Sequence, residues 1–210
     1  MTKTIVFQGD SITDAGRSYD RTIPANEALG LGYVFMTAAA LRSADPATDW
    51  QIYNRGISGN RIVDLYARWA IDAINIKPDI LSILIGVNDT WHGKEHNNGI
   101  ELPRFDKFYR MIMDWTKEAL PETKIVLMEP FVLLTGSVQE DWLAEMDGRR
   151  EITGKIAEDY GALFLPTQEI LNKAAKSAAP SYWLVDGVHP TMAGHKLISD
   201  EWLKLTEGIR

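Results

Sequence analysis

This sequence predicts an α/β fold, a parallel sheet covered by helices on both faces, and three observations carry that expectation. Five short runs rich in β-branched and large apolar residues are spaced along 210 residues. Segments of helical period separate them. The third run is apolar almost throughout, as a strand buried on both faces must be. Strands alternating with helices in this way build a parallel sheet.

Taken in order, the strand runs are residues 4–8, 51–54, 80–85, 124–128 and 162–165. Residues 61–74 read as a helix directly after the second strand. After Asp106, the apolar residues Phe108, Met111, Ile112, Trp115 and Ala119 recur at three- and four-residue spacing, and Pro121 ends that helix. Trp142, Met146, Ile156 and Tyr160 mark another, and Met192, Ile198, Trp202 and Leu205 a last one. Met36, Met111 and Met113 fall in helical patterns and are assigned to the core. Residues 19–30 and 91–103 are polar, carry Gly or Pro, and read as two long loops or lids. No internal repeat, low-complexity stretch or linker divides the chain.

Composition narrows the function. The chain has no cysteine, which excludes disulfide scaffolds, cysteine zinc sites, iron–sulfur clusters and cysteine nucleophiles. Acidic residues number 29 against 22 basic, a net charge of −7, which disfavours nucleic acid or an anionic membrane as the main partner. No apolar run approaches the roughly 18 residues that a membrane helix needs. A strand-like run begins at once in Met1-Thr-Lys-Thr-Ile-Val-Phe-Gln8, leaving no room for a signal peptide, so a cytoplasmic location is expected.

The chemistry gathers at the strand ends. The first strand ends in Gly9-Asp10-Ser11-Ile12-Thr13-Asp14, the second in Asn54-Arg-Gly56-Ile-Ser58-Gly59-Asn60, the third in Gly86-Val-Asn88-Asp89. In a doubly wound sheet ligands bind outside the carboxyl ends of the strands, so three strands deliver small and polar residues to one rim. Near the C-terminus stands Asp186-Gly-Val-His189-Pro190. A carboxylate three residues before a histidine, on a turn stiffened by proline, can reach the imidazole Nδ1, leaving Nε2 free to take a proton from a hydroxyl. Each block alone also reads as an ordinary turn or helix cap; all four in one order do not.

Together these blocks resemble the GDSL, or SGNH, hydrolase family of esterases and lipases. Gly9-Asp10-Ser11-Ile12 is similar to the nucleophile block, with Ile for the usual Leu. Gly56-Ile-Ser58-Gly59, Gly86-Val-Asn88-Asp89 and Asp186-Gly-Val-His189 are similar to the glycine, G-x-N-D and D-x-x-H blocks. The resemblance implies that Ser11 is the nucleophile, His189 the general base and acid, and Asp186 its orienting partner. It implies an oxyanion hole made by the Ser11 and Gly59 N–H groups and the Asn88 side-chain amide. Within the family, Asn54-Arg-Gly-Ile-Ser-Gly-Asn60, Ala67-Arg-Trp69 and Gly86-Val-Asn-Asp-Thr-Trp91 resemble intracellular acetyl-xylo-oligosaccharide esterases. That likeness implies an acetylated carbohydrate substrate, no cofactor and a homo-oligomer. The chain departs from those relatives at Val185, where they carry an aromatic, and in a slightly shorter tail.

The expectation is therefore a three-layer α/β/α, flavodoxin-like domain over residues 1–210, with five parallel strands in the order 2-1-3-4-5. The expected activity is that of a serine esterase removing O-acetyl groups from small sugars, with Asn60 and Trp91 as candidate substrate contacts. Trp91, and Trp183 near the same rim, can stack on a sugar or anchor a loop. The alternatives are a lysophospholipase or short-chain acyl-thioester hydrolase, whose apolar trough would come from Phe131 to Leu134, and a non-catalytic carbohydrate-binding protein. His92-Gly-Lys-Glu-His96 formally fits the zinc pattern H-x-x-E-H. That chemistry needs both histidines on one helical face, whereas Gly93 and Asn97-Asn98-Gly99 point to a loop, so no metal site is expected. His195, inside the last helix, is read as a packed or capping histidine.

Overall fold

The computed structural model describes residues 1–210. Its five strands are β1 (Thr2–Gly9), β2 (Asp49–Gly56), β3 (Ile80–Leu84), β4 (Lys124–Met128) and β5 (Leu163–Leu165). All pair in parallel, in the order β2-β1-β3-β4-β5. The expected sheet and strand order are both present.

Strand periodicity divides the core. Ile5, Phe7, Ile52, Val126 and Met128 face one way, and Val6, Leu81, Ile83, Ile125 and Leu127 the other, all buried. Helices α2 (Tyr33–Ala44) and α9 (Met192–Leu205) cover the first face, with Tyr33, Val34, Leu41, Ile198 and Trp202 against it. Helices α3 (Ile62–Asp72), α5 (Leu102–Ala119) and α6 (Leu143–Tyr160) cover the second with Leu65, Trp69, Phe105, Tyr109, Ile112 and Ile156. No helix is long and apolar enough to cross a membrane.

Shorter helices complete the chain: α1 (Ser11–Asp14), α4 (Val87–His96), α7 (Thr167–Ala174) and α8 (Pro180–Trp183). The segment 19–30 is irregular apart from one 3₁₀ turn at Ala25–Glu27. The second expected loop is a correction. Residues 91–96 continue α4, and Leu102 already opens α5 with Pro103 in its first turn. Gly93, which argued against a helix, sits within α4, and a Cβ there would meet only ordinary contact, 3.5 Å from Gly99 Cα. A Cβ on Gly99 would lie 2.5 Å from the Asp89 carbonyl and 2.7 Å from Gly93 Cα, so the returning chain can come this close to α4 only with glycine at position 99. The true stop is Asn97, left-handed at φ 51°.

Candidate active site

Ser11 opens α1 directly after β1. The carboxylate of Asp10 caps that helix by accepting from the Ile12 N–H at 2.9 Å. The cap aims the Ser11 hydroxyl out of the sheet, where its Oγ lies 2.8 Å from His189 Nε2. The turn before α9 supplies the rest. Asp186 Oδ1 accepts from the Val188 N–H at 3.0 Å and the His189 N–H at 2.8 Å, while Oδ2 sits 2.7 Å from His189 Nδ1. Burial works against ionisation of Asp186, but these hydrogen bonds and the neighbouring imidazole hold its carboxyl below the usual carboxylate range. An ionised Asp186 keeps the ring proton on Nδ1 and presents Nε2 to Ser11 as an acceptor.

The turn itself is docked by main-chain bonds onto the segment after β4. Leu133 N–H donates to the Gly187 carbonyl and Ser137 N–H to that of Asp186, both at 2.9 Å.

The other strand ends converge on the same place. Gly59 is left-handed at φ 80°, and its N–H has no partner within the chain, nor has that of Ser11 at the free start of α1. Asn88, on the first turn of α4, is buried, and its side-chain amide donates to the Asn60 carbonyl at 3.2 Å. The amide is thereby oriented, with a second N–H to offer. Two buried carboxylates flank these groups. Asp89 accepts from the Ile62 N–H at the start of α3, and burial pushes its carboxyl up to about 7. Burial pushes Asp10 up to about 7 as well, and its Oδ2 has no hydrogen-bond partner.

Trp91 follows on α4, its ring centroid 5.8 Å from that of His189 and 5.4 Å from that of Trp142. Asn60 turns inward, with its side-chain carbonyl accepting from Arg68 Nε at 2.7 Å. Trp183 packs edge-on against Tyr182 at 5.1 Å. His195 is packed as expected: Nδ1 accepts from the Tyr33 N–H at 3.2 Å.

The helical course of α4 places His92 and His96 on one face, their rings 5.9 Å apart, contrary to the loop expectation. No group of three His, Cys, Asp or Glu side chains in the chain could hold a metal ion.

Sequence reasoning passed over several polar residues that build this site. Asp14 Oδ2 accepts from the Ser58 N–H at 3.0 Å and the Ser58 hydroxyl at 2.8 Å, and also from the Tyr19 hydroxyl. The Asn54 amide donates to the carbonyls of Thr13 at 2.6 Å and Leu29 at 2.9 Å. Arg149, wholly buried on α6, donates to the Thr90 hydroxyl at 2.8 Å and the Ile100 carbonyl at 2.6 Å, tying the first turn of α4 to the connection that follows it. For Asp14 and Asn54 the available signal was polarity at a strand end; Arg149, amid the charged residues of α6, gave none.

A family model described as GDSL-like lipase/acylhydrolase matches residues 7–197. The chain belongs to that family. With it, the chain is a carboxylic ester hydrolase. It is 35% identical over 204 residues to an acetylxylan esterase of Geobacillus stearothermophilus, covering 95% of this chain and 92% of the relative. Among solved structures, a protein described as a GDSL-like lipase from Parabacteroides merdae superposes with TM-score 0.93 at 42% identity, over 99% of this chain and 96% of that one. The crystal structure of Axe2, an acetylxylan esterase from G. stearothermophilus, superposes with TM-score 0.87 at 34% identity, over 97% and 93% of the two chains.

Proposed function

We propose that this protein is a serine esterase that removes O-acetyl groups from small acetylated sugars such as xylo-oligosaccharides, through an acyl-enzyme on Ser11. The observation that carries the mechanism is the chain of contacts Ser11 Oγ to His189 Nε2 at 2.8 Å and His189 Nδ1 to Asp186 Oδ2 at 2.7 Å. His189 takes the hydroxyl proton as Ser11 Oγ attacks the acetyl carbonyl carbon. The N–H groups of Ser11 and Gly59 and the Asn88 amide receive the oxyanion. The C–O bond to the sugar then breaks, and His189 returns its proton to the departing sugar oxygen. Water, deprotonated by the same imidazole, releases acetate and restores Ser11.

Substrate class rests on the rim. Trp91 lies against the catalytic histidine, where an indole face suits a sugar ring. Phe131, Val132 and Leu133, the candidate apolar trough, are buried in the core, and only Leu134 of that run is exposed. A long acyl chain gains about 0.8 kcal/mol per buried CH₂ only where such a trough exists. Axe2 is described as an acetyl-xylooligosaccharide esterase, and its serine-to-alanine and histidine-to-alanine forms as catalytic mutants.

The test is kcat/KM on p-nitrophenyl esters from acetate to decanoate, with acetylated xylo-oligosaccharides alongside. Acetate and the acetylated sugars should lead; a maximum at octanoate or longer would transfer the assignment to the lysophospholipase or thioesterase reading. An organophosphonate should label wild type and not Ser11→Ala, and Ser11→Ala should be inactive yet folded. Failure to label wild type would favour a non-catalytic carbohydrate-binding protein. A homo-oligomer in the cytoplasm completes the proposal. Its support is the exposed Phe35, Tyr182 and Met192 on α2, α8 and α9, and a particle of 23.6 kDa in light scattering would overturn the oligomer.

A further inference from the structure

Arg68 lies on α3 behind the catalytic rim, with its side chain 13% exposed. Its guanidinium holds three separate segments at once. Nη2 donates to the carbonyl of Gly9, two residues before Ser11, at 3.1 Å. Nη1 donates to the Arg55 carbonyl at the end of β2 at 2.8 Å, and to Gln8 Oε1 at 2.9 Å. Nε donates to the side-chain carbonyl of Asn60, the residue after Gly59, at 2.7 Å. The main-chain carbonyl of Asn60 in turn accepts from the Asn88 amide at 3.2 Å. Asp72, one helical turn along α3, balances the charge at 3.1 Å.

From these contacts we propose that Arg68 is the positioning residue of the oxyanion hole. The proposal rests on the serine-esterase reading. The three donors assigned to the oxyanion come from three strand ends with no covalent reason to keep their spacing. One planar group binds the peptide leading to Ser11, the turn carrying Gly59 and, through Asn60, the amide of Asn88. Oxyanion donors work only when fixed at hydrogen-bond distance from the developing charge, and a misplacement of about 1 Å can lower turnover by about 10². The fork geometry matters. A lysine ammonium at this position is a point charge that cannot reach Asn60, Arg55 and Gly9 together. The hydrogen bonds of Arg68 go to Gln8, Gly9, Arg55, Asn60 and Asp72, and none goes to Ser11, His189 or Asp186.

The experiment compares Arg68→Ala, Arg68→Lys and Asn60→Ala with wild type on p-nitrophenyl acetate, with thermal unfolding in parallel. Arg68→Ala should lose about 10² in kcat with KM nearly unchanged, and millimolar guanidinium chloride should restore part of that loss. Arg68→Lys should stay low, since charge without the fork does not hold the three segments. Asn60→Ala should lower kcat in the same direction; a rise in KM alone would make Asn60 a substrate contact and overturn the relay to Asn88. Should Arg68→Ala fail to fold, Asn60→Ala and Arg68→Lys decide the matter. Wild-type kcat in a folded Arg68→Ala that an organophosphonate still labels at Ser11 would refute the positioning role and leave the serine esterase standing. Absence of labelling in wild type would refute the esterase reading itself.

Discussion

Consider the substitution Asp186→Asn, which exchanges one carboxylate oxygen for an amide nitrogen at nearly constant volume. Two main-chain donors, the N–H groups of Val188 and His189, point at Oδ1 from 3.0 and 2.8 Å. They require an acceptor, so the amide carbonyl takes that place and the NH₂ group is left facing His189 Nδ1 at 2.7 Å. A donor there turns Nδ1 into the acceptor and moves the ring proton to Nε2. Nε2 then donates to Ser11 Oγ instead of accepting from it, and no base remains. In a serine-protease triad this reversal lowers kcat by about 10⁴, equivalent to about 5.4 kcal/mol of activation free energy. The pair is partly exposed, so folding stability should change by only about 1 kcal/mol. The assay is p-nitrophenyl acetate hydrolysis from pH 5 to 9, with urea unfolding as the control. A fall in kcat below about tenfold, or about 1.4 kcal/mol, in a folded variant would refute the tautomer argument.

Buried Asp10 and half-buried His195 should tilt the stability–pH profile in opposite directions. Asp10 is pushed up to about 7 from an ordinary 3.8 by burial, so the stability tied to its neutral form is present below pH 3.8 and lost as pH rises through 7. Asp10→Asn should therefore be more stable than wild type at pH 8 and equal to it at pH 4; equal urea midpoints at pH 8 would refute this. His195 is pushed down to about 4 from 6.5, by burial first and the charge of His189 second, so its contribution is present above pH 6.5 and lost as pH falls through 4. His195→Gln, which keeps an acceptor for the Tyr33 N–H, should lose less stability than wild type between pH 7 and 4; parallel midpoints across that range would count against it. Dialysis against EDTA should leave esterase turnover unchanged, because His92 and His96 have no third ligating side chain. Activity lost on dialysis and restored by zinc would overturn that.

The strands were legible because each is a short apolar run bounded by turn residues, and β4 matches residue for residue. The four polar blocks were legible because three strand ends and the turn before α9 each confine their polar residue types within a few positions. The course of 91–96 was not. A glycine in a polar segment reads as a break, and nothing local shows that Gly93 lies inside α4 with the chain returning past it at Gly99. Arg68, Asp14 and Asn54 were equally opaque as parts of the site. The partners that tie them to the site lie far along the chain, such as Ser58 for Asp14, Thr13 for Asn54 and Gly9 for Arg68, at 44, 41 and 59 positions, and no local pattern encodes such pairings. The same holds for Asn60, whose inward turn depends on an arginine eight residues on.

Ser11 and His189 meet across 178 positions of chain. Under the proposed mechanism that separation makes hydrolysis a reporter of a long-range closure in folding. A polypeptide stopped before Asp186 can hold Ser11, Gly59 and Asn88 but lacks His189, the base of the proposed mechanism, and α9, which seals the sheet with Trp202, is missing too. During synthesis the emerging strands are therefore chemically silent toward esters until the final segment docks. In refolding, recovery of turnover should trail the helical signal by the time this segment needs to find its place.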